Sequence, residues 1–192
     1  PASPGWTVPM RSLLYAIAVG LVGAALLHIV IILSLPSFTG RDAYTRVQTF
    51  GEANRFFPLA NAADTLAPIN DDPAMKTAVC TFSVENGPIR LFAEGDVPFW
   101  SLAVYDSASN EVFSMNDRTS VSGALDTLIA TPIQLIAIRK AVPAELEQSI
   151  LVEMRGEEGY AVLRTFVPTA SREEAATAFL GDTSCEPFPA EQ

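Results

Sequence analysis

The stretch Leu13–Leu35, LLYAIAVGLVGAALLHIVIILSL, decides how the rest of the 192-residue chain is organised. Its 23 residues carry no Asp, Glu, Lys or Arg, and they contain one imidazole, His28. As an α-helix, a run of this length spans about 35 Å, which exceeds the ~30 Å hydrocarbon core of a bilayer. The sequence therefore predicts a transmembrane helix.

Two features favour an uncleaved signal anchor over a removable signal peptide. The apolar core of a signal peptide has roughly 7–15 residues and precedes a small-residue cleavage site, which the sequence after Leu33 lacks. We expect Pro36 and Gly40 to end the helix, because proline lacks an amide donor and glycine loosens the chain. The predicted parts are a short tail (1–12), the anchor (13–35), a juxtamembrane segment with an irregular linker (36–75) and a β-rich domain (76–192).

The charge of the chain excludes nucleic acid as a partner. No Asp or Glu precedes Asp42, so all 22 acidic residues follow the apolar run. That part of the chain also holds 11 of the 12 basic residues, which gives it a net charge of 11 − 22 = −11. Proteins that bind nucleic acid neutralise phosphates with clustered Lys and Arg, and Arg139-Lys140 is the single adjacent basic pair here.

Histidine and cysteine are too scarce for several common sites. The one histidine, His28, lies inside the apolar run, so a Ser-His-Asp or Cys-His constellation in the domain is excluded. Two cysteines and no domain histidine leave a Cys/His zinc site without ligands. We expect no metal and no cofactor.

Lys and Arg alone do not determine the orientation of the anchor. Arg11 precedes the run, whereas Arg41, Arg46 and Arg55 follow it, which is the reverse of the usual cytoplasmic bias. A tail of about a dozen residues, and the ability of long acidic domains to translocate, favour a cytoplasmic N-terminus. We expect a single-pass inner-membrane protein with its domain in the periplasm.

One side of the predicted anchor is lined by small residues and ends at a histidine. Residues four apart share a helix face, and here they are Ser12, Ala16, Gly20, Ala24 and His28, with Gly23 beside them. Small residues let a second helix approach closely, and an imidazole in hydrocarbon needs a partner. The alternative is that alanine and glycine are merely common in membrane helices and that His28 bonds locally. The face predicts packing against another membrane protein or a second copy.

Short alternating runs from Thr77 onward predict about seven strands in a mostly antiparallel sandwich or barrel. In FWSLAVYD, Trp100, Leu102 and Val104 share one face. The step Asn86-Gly87 indicates a hairpin between the first two strands. The predicted strands are TAVCTFSV, IRLFAE, FWSLAVYD, EVFSM, TPIQLIAIRK, QSILVEMR and YAVLRTFVP.

Helical signals flank this block of strands. Apolar residues within 40–57 allow a short amphipathic helix interrupted by Gly51, although the same stretch also fits a first strand of the domain. Near the C-terminus, Ser171 and Glu174 have capping-box spacing, and Gly181 follows an apolar run. The fold class predicted is mainly β, with an N-terminal membrane helix and a C-terminal helix.

Cys80 lies in the first predicted strand and Cys185 follows the last helix. In an exported domain, two distant cysteines most simply form one disulfide, here closing a loop of about 100 residues. In a cytoplasmic domain they would be two reduced thiols. The state of this pair therefore also bears on the orientation.

Four runs carry a resemblance to known proteins: CTFSVENGPIR from Cys80, FWSLAVYD from Phe99, FSMNDR from Phe113 and RTFVP from Arg164. Together they resemble small membrane-anchored proteobacterial members of the two families of unknown function numbered 1254 and 1214. The resemblance covers roughly residues 45–188. It implies a β-rich exported domain and a cysteine pair between the first strand and the C-terminus, and it implies no reaction.

A polar set near one predicted hairpin has two interpretations. It comprises Tyr105, Asp106, Asn116, Asp117 and Arg118. As a site, Arg118 would clamp a carboxylate with its planar fork. As structure, Asp106 and Asn116 would shape turns and Arg118 would pair with Asp106 or Asp117.

Two functional hypotheses follow. The first is a non-catalytic, membrane-anchored envelope protein that serves as a subunit or accessory of a membrane complex. The second is a periplasmic enzyme or binding module acting on a glycan or peptidoglycan. Two suitably spaced carboxylates suffice for glycosidic chemistry, and the candidates are Asp96, Asp106, Asp117 and Glu153.

Overall fold

The computed structural model describes residues 9–59 and 74–189, and of residues 36–42 it describes the backbone alone. The chain divides into two compact units, Pro1–Thr39 and Gly40–Gln192. Most of the predicted tail and the middle of the predicted linker, residues 1–8 and 60–73, lie outside the described residues.

Helix α1 runs from Met10 to Thr49, so the prediction that it ends at Pro36 and Gly40 is wrong. Proline removes one hydrogen bond of the helical ladder and glycine weakens a helix by about 1 kcal/mol. Each cost is limited, and the neighbouring residues keep their helical hydrogen bonds, so the helix continues across both positions. The amphipathic-helix alternative holds for the following segment, because the helix ends just before Gly51.

The first 26 residues of this helix, Met10–Leu35, are long and apolar enough to cross a membrane. Their mean hydropathy is 2.7, and none of the apolar window is buried inside the protein. By length and composition, the segment is the one candidate membrane span among the described residues.

Nine strands in the described part of the chain form two facing sheets. The first sheet has the order β1-β2-β8-β4-β5 and the second has the order β7-β6-β3-β9. All pairs are antiparallel except β6 with β7. The strands are β1 Phe57–Pro58, β2 Met75–Ser83, β3 Ile89–Ala93, β4 Trp100–Asp106, β5 Glu111–Asn116, β6 Leu125–Ala130, β7 Ile150–Glu153, β8 Glu158–Phe166 and β9 Ser184–Pro187. The predicted fold class is confirmed.

The core lies between the two sheets and follows the alternation of the strands. Trp100, Leu102 and Val104 of β4 are buried on one face, as predicted, and Ile89 and Leu91 of β3 contribute from the opposite sheet. Each fully buried side chain of this size contributes about 1.5–3 kcal/mol relative to an exposed one. Packing between sheets therefore holds the sandwich together.

The predicted hairpin at Asn86-Gly87 is wrong. Strand β2 pairs with β1 and β8, whereas β3 pairs with β6 and β9. Because β2 already has a neighbour on each side, the Asn-Gly turn leads the chain from one sheet to the other. The Asn-Gly step therefore forms a turn, as its residues favour, but the two strands that it connects do not pair.

The run predicted as the strand TPIQLIAIRK is instead helix α2, Pro132–Lys140. Thr131 and Gln134 form a capping box, in which each side chain accepts a hydrogen bond from the other residue's amide. Pro132 stands at the first helical position, where its missing amide hydrogen costs nothing. This helix-start signal outweighs the β-propensity of the isoleucines. The strand of this region is β6, which ends at Ala130, just before α2 begins.

The C-terminal helix is present as α3, Glu173–Gly181, but its predicted cap is wrong. Ser171 belongs to a 3-10 turn, Ala170–Arg172, and its hydroxyl bonds to that of Thr169 at 2.9 Å. Arg172 precedes α3 without a side-chain cap. The 3-10 turn therefore occupies the residues that a capping box would have needed.

Cys80 of β2 and Cys185 of β9 form a disulfide, with Cα atoms 6.6 Å apart and a sequence separation of 105. Their pairing was one of the two states that the sequence allowed. Because β2 and β9 belong to different sheets, the bond joins the two layers of the sandwich. Both cysteines are buried in the core.

Candidate functional site

The five residues of the predicted polar set do not come together. Tyr105 and Asp106 end β4, whereas Asn116 ends β5 and pairs with Ser101 near the start of β4. Four residues of strand separate Ser101 from Tyr105, a distance of about 13 Å. Asn116, Asp117 and Arg118 therefore lie at the opposite end of the hairpin from Tyr105 and Asp106.

Asp106 organises the turn between β4 and β5. Its Oδ1 accepts hydrogen bonds from the backbone amides of Ala108 (2.9 Å) and Asn110 (2.8 Å), and its Oδ2 accepts one from Asn110 Nδ2 (2.8 Å). Aspartate favours turns because its carboxylate can bond amides two residues on. All three contacts are local, which fits the structural interpretation of this residue.

Asn116 does the same at the other end of the hairpin. Its Oδ1 accepts hydrogen bonds from the amides of Arg118 (3.0 Å) and Thr119 (3.2 Å). Arg118 is exposed, and no described carboxylate lies within ion-pair distance of its guanidinium. The predicted pairing of Arg118 with Asp106 or Asp117 is therefore wrong for the described residues.

Tyr105 belongs instead to a cluster of three tyrosines. Its ring stacks on that of Tyr160 with centroids 5.0 Å apart, and the Tyr160 ring lies 6.4 Å from that of Tyr44. Tyr160 Oη donates to Ser109 Oγ at 3.1 Å. Stacked and tilted aromatic pairs at such distances contribute about 0.5–1.5 kcal/mol each beyond their burial. The cluster fixes the last turns of α1 on the outer face of the first sheet.

Burial makes these phenols weaker acids. Desolvation raises the pKa of Tyr160 above its ordinary value of 10.0, the hydrogen bond with Ser109 opposes this rise, and electrostatic repulsion from the neighbouring Tyr105 and Asp106 side chains adds to it. Desolvation also raises the pKa of Tyr44, assisted by the carboxylate of Glu158 and opposed by a hydrogen bond with Gln48. Both groups stay neutral at physiological pH, so the cluster supports structure rather than proton transfer.

Two of the four candidate carboxylates share a hollow. Asp96 and Asp117 line a concavity of about 470 Å³ together with Glu94 and Trp100. Asp117 Oδ1 is buried and has no hydrogen-bond partner among the described residues, and Asp96 forms an ion pair with Arg172 at 3.3 Å. Trp100 is 2% exposed, so it offers no open ring face on which a sugar would stack.

The other two carboxylates meet in a smaller hollow. Asp106 and Glu153 line a concavity of about 260 Å³ where the edges of β5 and β7 approach each other. The oxygens of Asp106 are occupied by its turn, and Glu153 Oε1 lies 3.9 Å from Arg155 Nε. The four carboxylates therefore form two separate pairs, not one site.

A third hollow, of about 300 Å³, contains a cation that is already neutralised. Arg90 binds Asp126 through two hydrogen bonds of 2.9 Å and donates a third to the carbonyl oxygen of Glu145. The hydrogen bond with Asp126 is the main reason that the pKa of Arg90 is raised. A guanidinium with its fork occupied is not an open anion site.

Metal chemistry finds no support in the part of the chain that the structure describes. No three His, Cys, Asp or Glu side chains lie close enough together there to hold an ion.

The predicted packing face of the span is exposed along its whole length. A Cβ placed on Gly20 or Gly23 would meet no atom within 4 Å. The imidazole of His28 is exposed on the same helix. The residues of this face are Ser12, Ala16, Gly20, Gly23, Ala24 and His28, and we call it the small-residue face.

Comparison with known proteins identifies structural relatives only. No protein-family model matches the chain, and no curated protein matches it. The VPA0106 protein from Vibrio parahaemolyticus has a similar structure, with a TM-score of 0.55 at 16% identity over 80% of this chain and 38% of its own. An uncharacterized protein from Burkholderia cenocepacia gives a TM-score of 0.49 at 12% identity, over 81% of this chain and 44% of its own. This chain therefore spans about two fifths of the length of these structures, and the likeness to VPA0106 concerns the fold.

The sequence does not predict two features of the surface. Tyr44 and Tyr160 stand in runs that looked like an amphipathic helix and a strand, and nothing in either run indicates that the rings meet. The sequence does not predict the exposed isoleucines of α2, because their β-propensity favours a strand in this run. The signal that identifies the helix was the T-x-x-Q spacing of Thr131 and Gln134 with Pro132 between them.

Proposed function

We propose that this protein is a non-catalytic, membrane-anchored envelope protein that serves as a subunit or accessory of a membrane complex. It contacts its partner through the transmembrane helix and the periplasmic domain. The observation that carries the proposal is the exposed small-residue face of the candidate span. Gly20 and Gly23 leave room for a second helix, and His28 requires a polar partner inside the membrane.

The cysteine pair supports a periplasmic domain and a cytoplasmic N-terminus. A disulfide persists in the periplasm, whereas thiols stay reduced in the cytosol. Cys80 and Cys185 are bonded, which favours the oxidising side of an inner membrane. Membership of the families numbered 1254 and 1214 is part of the same proposal, and it agrees with the β-rich domain.

A second candidate is a periplasmic module that acts on a glycan or peptidoglycan. It rests on the hollow that Asp96 and Asp117 share. The ion pair of Asp96 with Arg172 and the burial of Trp100 weaken this alternative. Loss of a glycan-binding or hydrolytic signal on Asp117→Asn, with the fold unchanged, would favour it over the subunit role.

The subunit role is tested by site-specific photocrosslinking in the native membrane. A photoreactive residue at Ala16 probes the small-residue face, and one at Ala18, rotated by 200° on the helix, is the matched control. We expect crosslinks to a membrane protein, or to a second copy, from position 16 alone. Equal crosslinking from both positions, or none from either, would contradict the proposal.

A further inference from the structure

Helix α2 presents an apolar and basic face that remains exposed among the residues that the structure describes. Ile133 is 81% exposed and Ile136 is 56% exposed. Both are therefore exceptions in a domain whose other isoleucines on the strands are buried or half-buried. Arg139 and Lys140 follow on the last turn and are exposed as well. Ile133, Ile136 and Lys140 have the i, i+3, i+7 spacing of one helix face.

This face is held rigidly in place. Leu135, on the opposite side of α2, is 1% exposed, and Gln134 Nε2 donates to the carbonyl oxygen of Val84 at 2.8 Å. The capping box at Thr131 fixes the first turn. The isoleucines are therefore presented outward by a docked helix, so their exposure is a lasting property of the fold.

The surrounding charge is unusual for this protein. Residues 127–144 contain no Asp or Glu and carry two positive charges, Arg139 and Lys140, in a chain of net charge −10. A helix with isoleucines on one side and adjacent Lys and Arg is typical of elements that lie in the headgroup layer of an anionic membrane. Two copies of α2 are poor partners for each other on electrostatic grounds: Arg139 and Lys140 of one copy would repel the same basic pair of the other.

The domain that carries this face is joined to the candidate span by a short segment of chain. A short series of contacts connects α2 with Tyr160. Gln134 donates a hydrogen bond to the carbonyl oxygen of Val84, and the amide of Val84 donates one to the carbonyl oxygen of Glu157. Glu157 directly precedes β8, the strand that contains Tyr160. Tyr44 contacts Tyr160 at that end of the sandwich. Tyr44 follows Leu35, the last residue of the candidate span, by nine residues, which reach at most about 30 Å even when fully extended.

We propose that the α2 face, formed by Ile133, Ile136, Arg139 and Lys140, rests on an anionic lipid surface. The proposal rests on the membrane anchoring of the proposed function. With the domain tethered to the bilayer, the second contact is intramolecular, so a patch of this small size is sufficient. The contact would fix the tilt of the domain and thereby the side that it offers to a partner.

The test uses the full chain in lipid nanodiscs, either of phosphatidylcholine alone or with roughly one third phosphatidylglycerol. Hydrogen exchange is followed in the peptide 131–142. We expect exchange that is about tenfold slower in the anionic discs, with no change at Val121, an exposed apolar residue outside α2. Ile133→Gln/Ile136→Gln should abolish the slowing. Arg139→Gln/Lys140→Gln should remove its dependence on anionic lipid, whereas the charge-matched Arg118→Gln/Arg155→Gln should not.

Each other outcome overturns the proposal in a distinguishable way. Equal exchange in both discs refutes lipid contact, and slowing that follows the number of chains per disc assigns the face to a second copy. Slowing seen in native membranes and absent from lipid discs assigns it to a protein partner. A chain that fails to enter the discs refutes the membrane anchoring, whereas normal entry with unchanged α2 exchange refutes the lipid contact alone.

Discussion

Removal of the disulfide should cost the domain several kcal/mol. Cys80 and Cys185 close a loop of 105 residues, and the chain-entropy relation gives about 4.7 kcal/mol for a loop of this length, within a typical measured range of roughly 2–5 kcal/mol. For a protein of this size, 1 kcal/mol corresponds to about 2–4 °C in Tm. The double variant Cys80→Ala/Cys185→Ala should therefore melt about 9–19 °C below the wild type.

The assay is thermal and guanidinium unfolding of the full chain in detergent, followed by the fluorescence of the buried Trp100 in a Trp6→Phe background. Two controls separate the bond from packing. Wild type with reductant loses the bond and keeps both sulfurs, and Cys185→Ala alone loses the bond and one sulfur. All three forms should lose a similar free energy. A loss below about 1 kcal/mol in the reduced wild type would refute the loop-entropy argument.

Four further substitutions test the domain. Tyr160→Phe should leave stability near neutral pH within about 1.5 kcal/mol. It should also reduce the loss of stability at alkaline pH. The neutral phenol stabilises the fold below pH 10, and this contribution is lost as the pH rises through the raised pKa of Tyr160. Denaturant melts from pH 8 to about 11.5 measure the free energy of unfolding, and the same pH dependence in variant and wild type would contradict this prediction. Gly159→Ala should cost about 1–3 kcal/mol, because its Cβ would lie 2.5 Å from the carbonyl oxygen of Tyr105; an unchanged Tm would disprove that close approach. Asp106→Ala should cost about 1–2 kcal/mol through three lost turn bonds, and Arg118→Ala less than about 0.5 kcal/mol; the reverse order in chemical melts would restore a structural role for Arg118.

Most of the correct predictions came from the spacing of apolar residues along the sequence. Alternation along FWSLAVYD placed Trp100, Leu102 and Val104 in the core, because a strand inside a sandwich has one buried face whatever its partners are. The 23-residue apolar run likewise needed no tertiary information. The interpretation of Asp106 and Asn116 as turn residues also followed from local chemistry, since their carbonyl and carboxylate oxygens bond amides two to four residues away.

The errors share a different cause, which is competition between local signals and long-range contacts. Isoleucines in TPIQLIAIRK favour a strand by propensity, yet the capping box and the docking of Leu135 decide for a helix. The Asn86-Gly87 step satisfies a turn, but the pairing of β2 with β8 decides that no hairpin forms there. Pro36 weakens a helix locally without ending it. The tyrosine cluster depends on residues 116 positions apart (160 − 44), a contact that no local pattern indicates.

The central claim is that the small-residue face of the span binds a partner helix, and the mass of the complex extracted in mild detergent tests it most directly. Gly20→Val and His28→Leu alter that face, and Ala18→Val makes a comparable change on the opposite side of the helix. We predict that all three variants insert into the membrane, that the first two yield a smaller or less stable complex, and that Ala18→Val matches the wild type. Complexes of equal mass and stability in all four proteins would contradict the account.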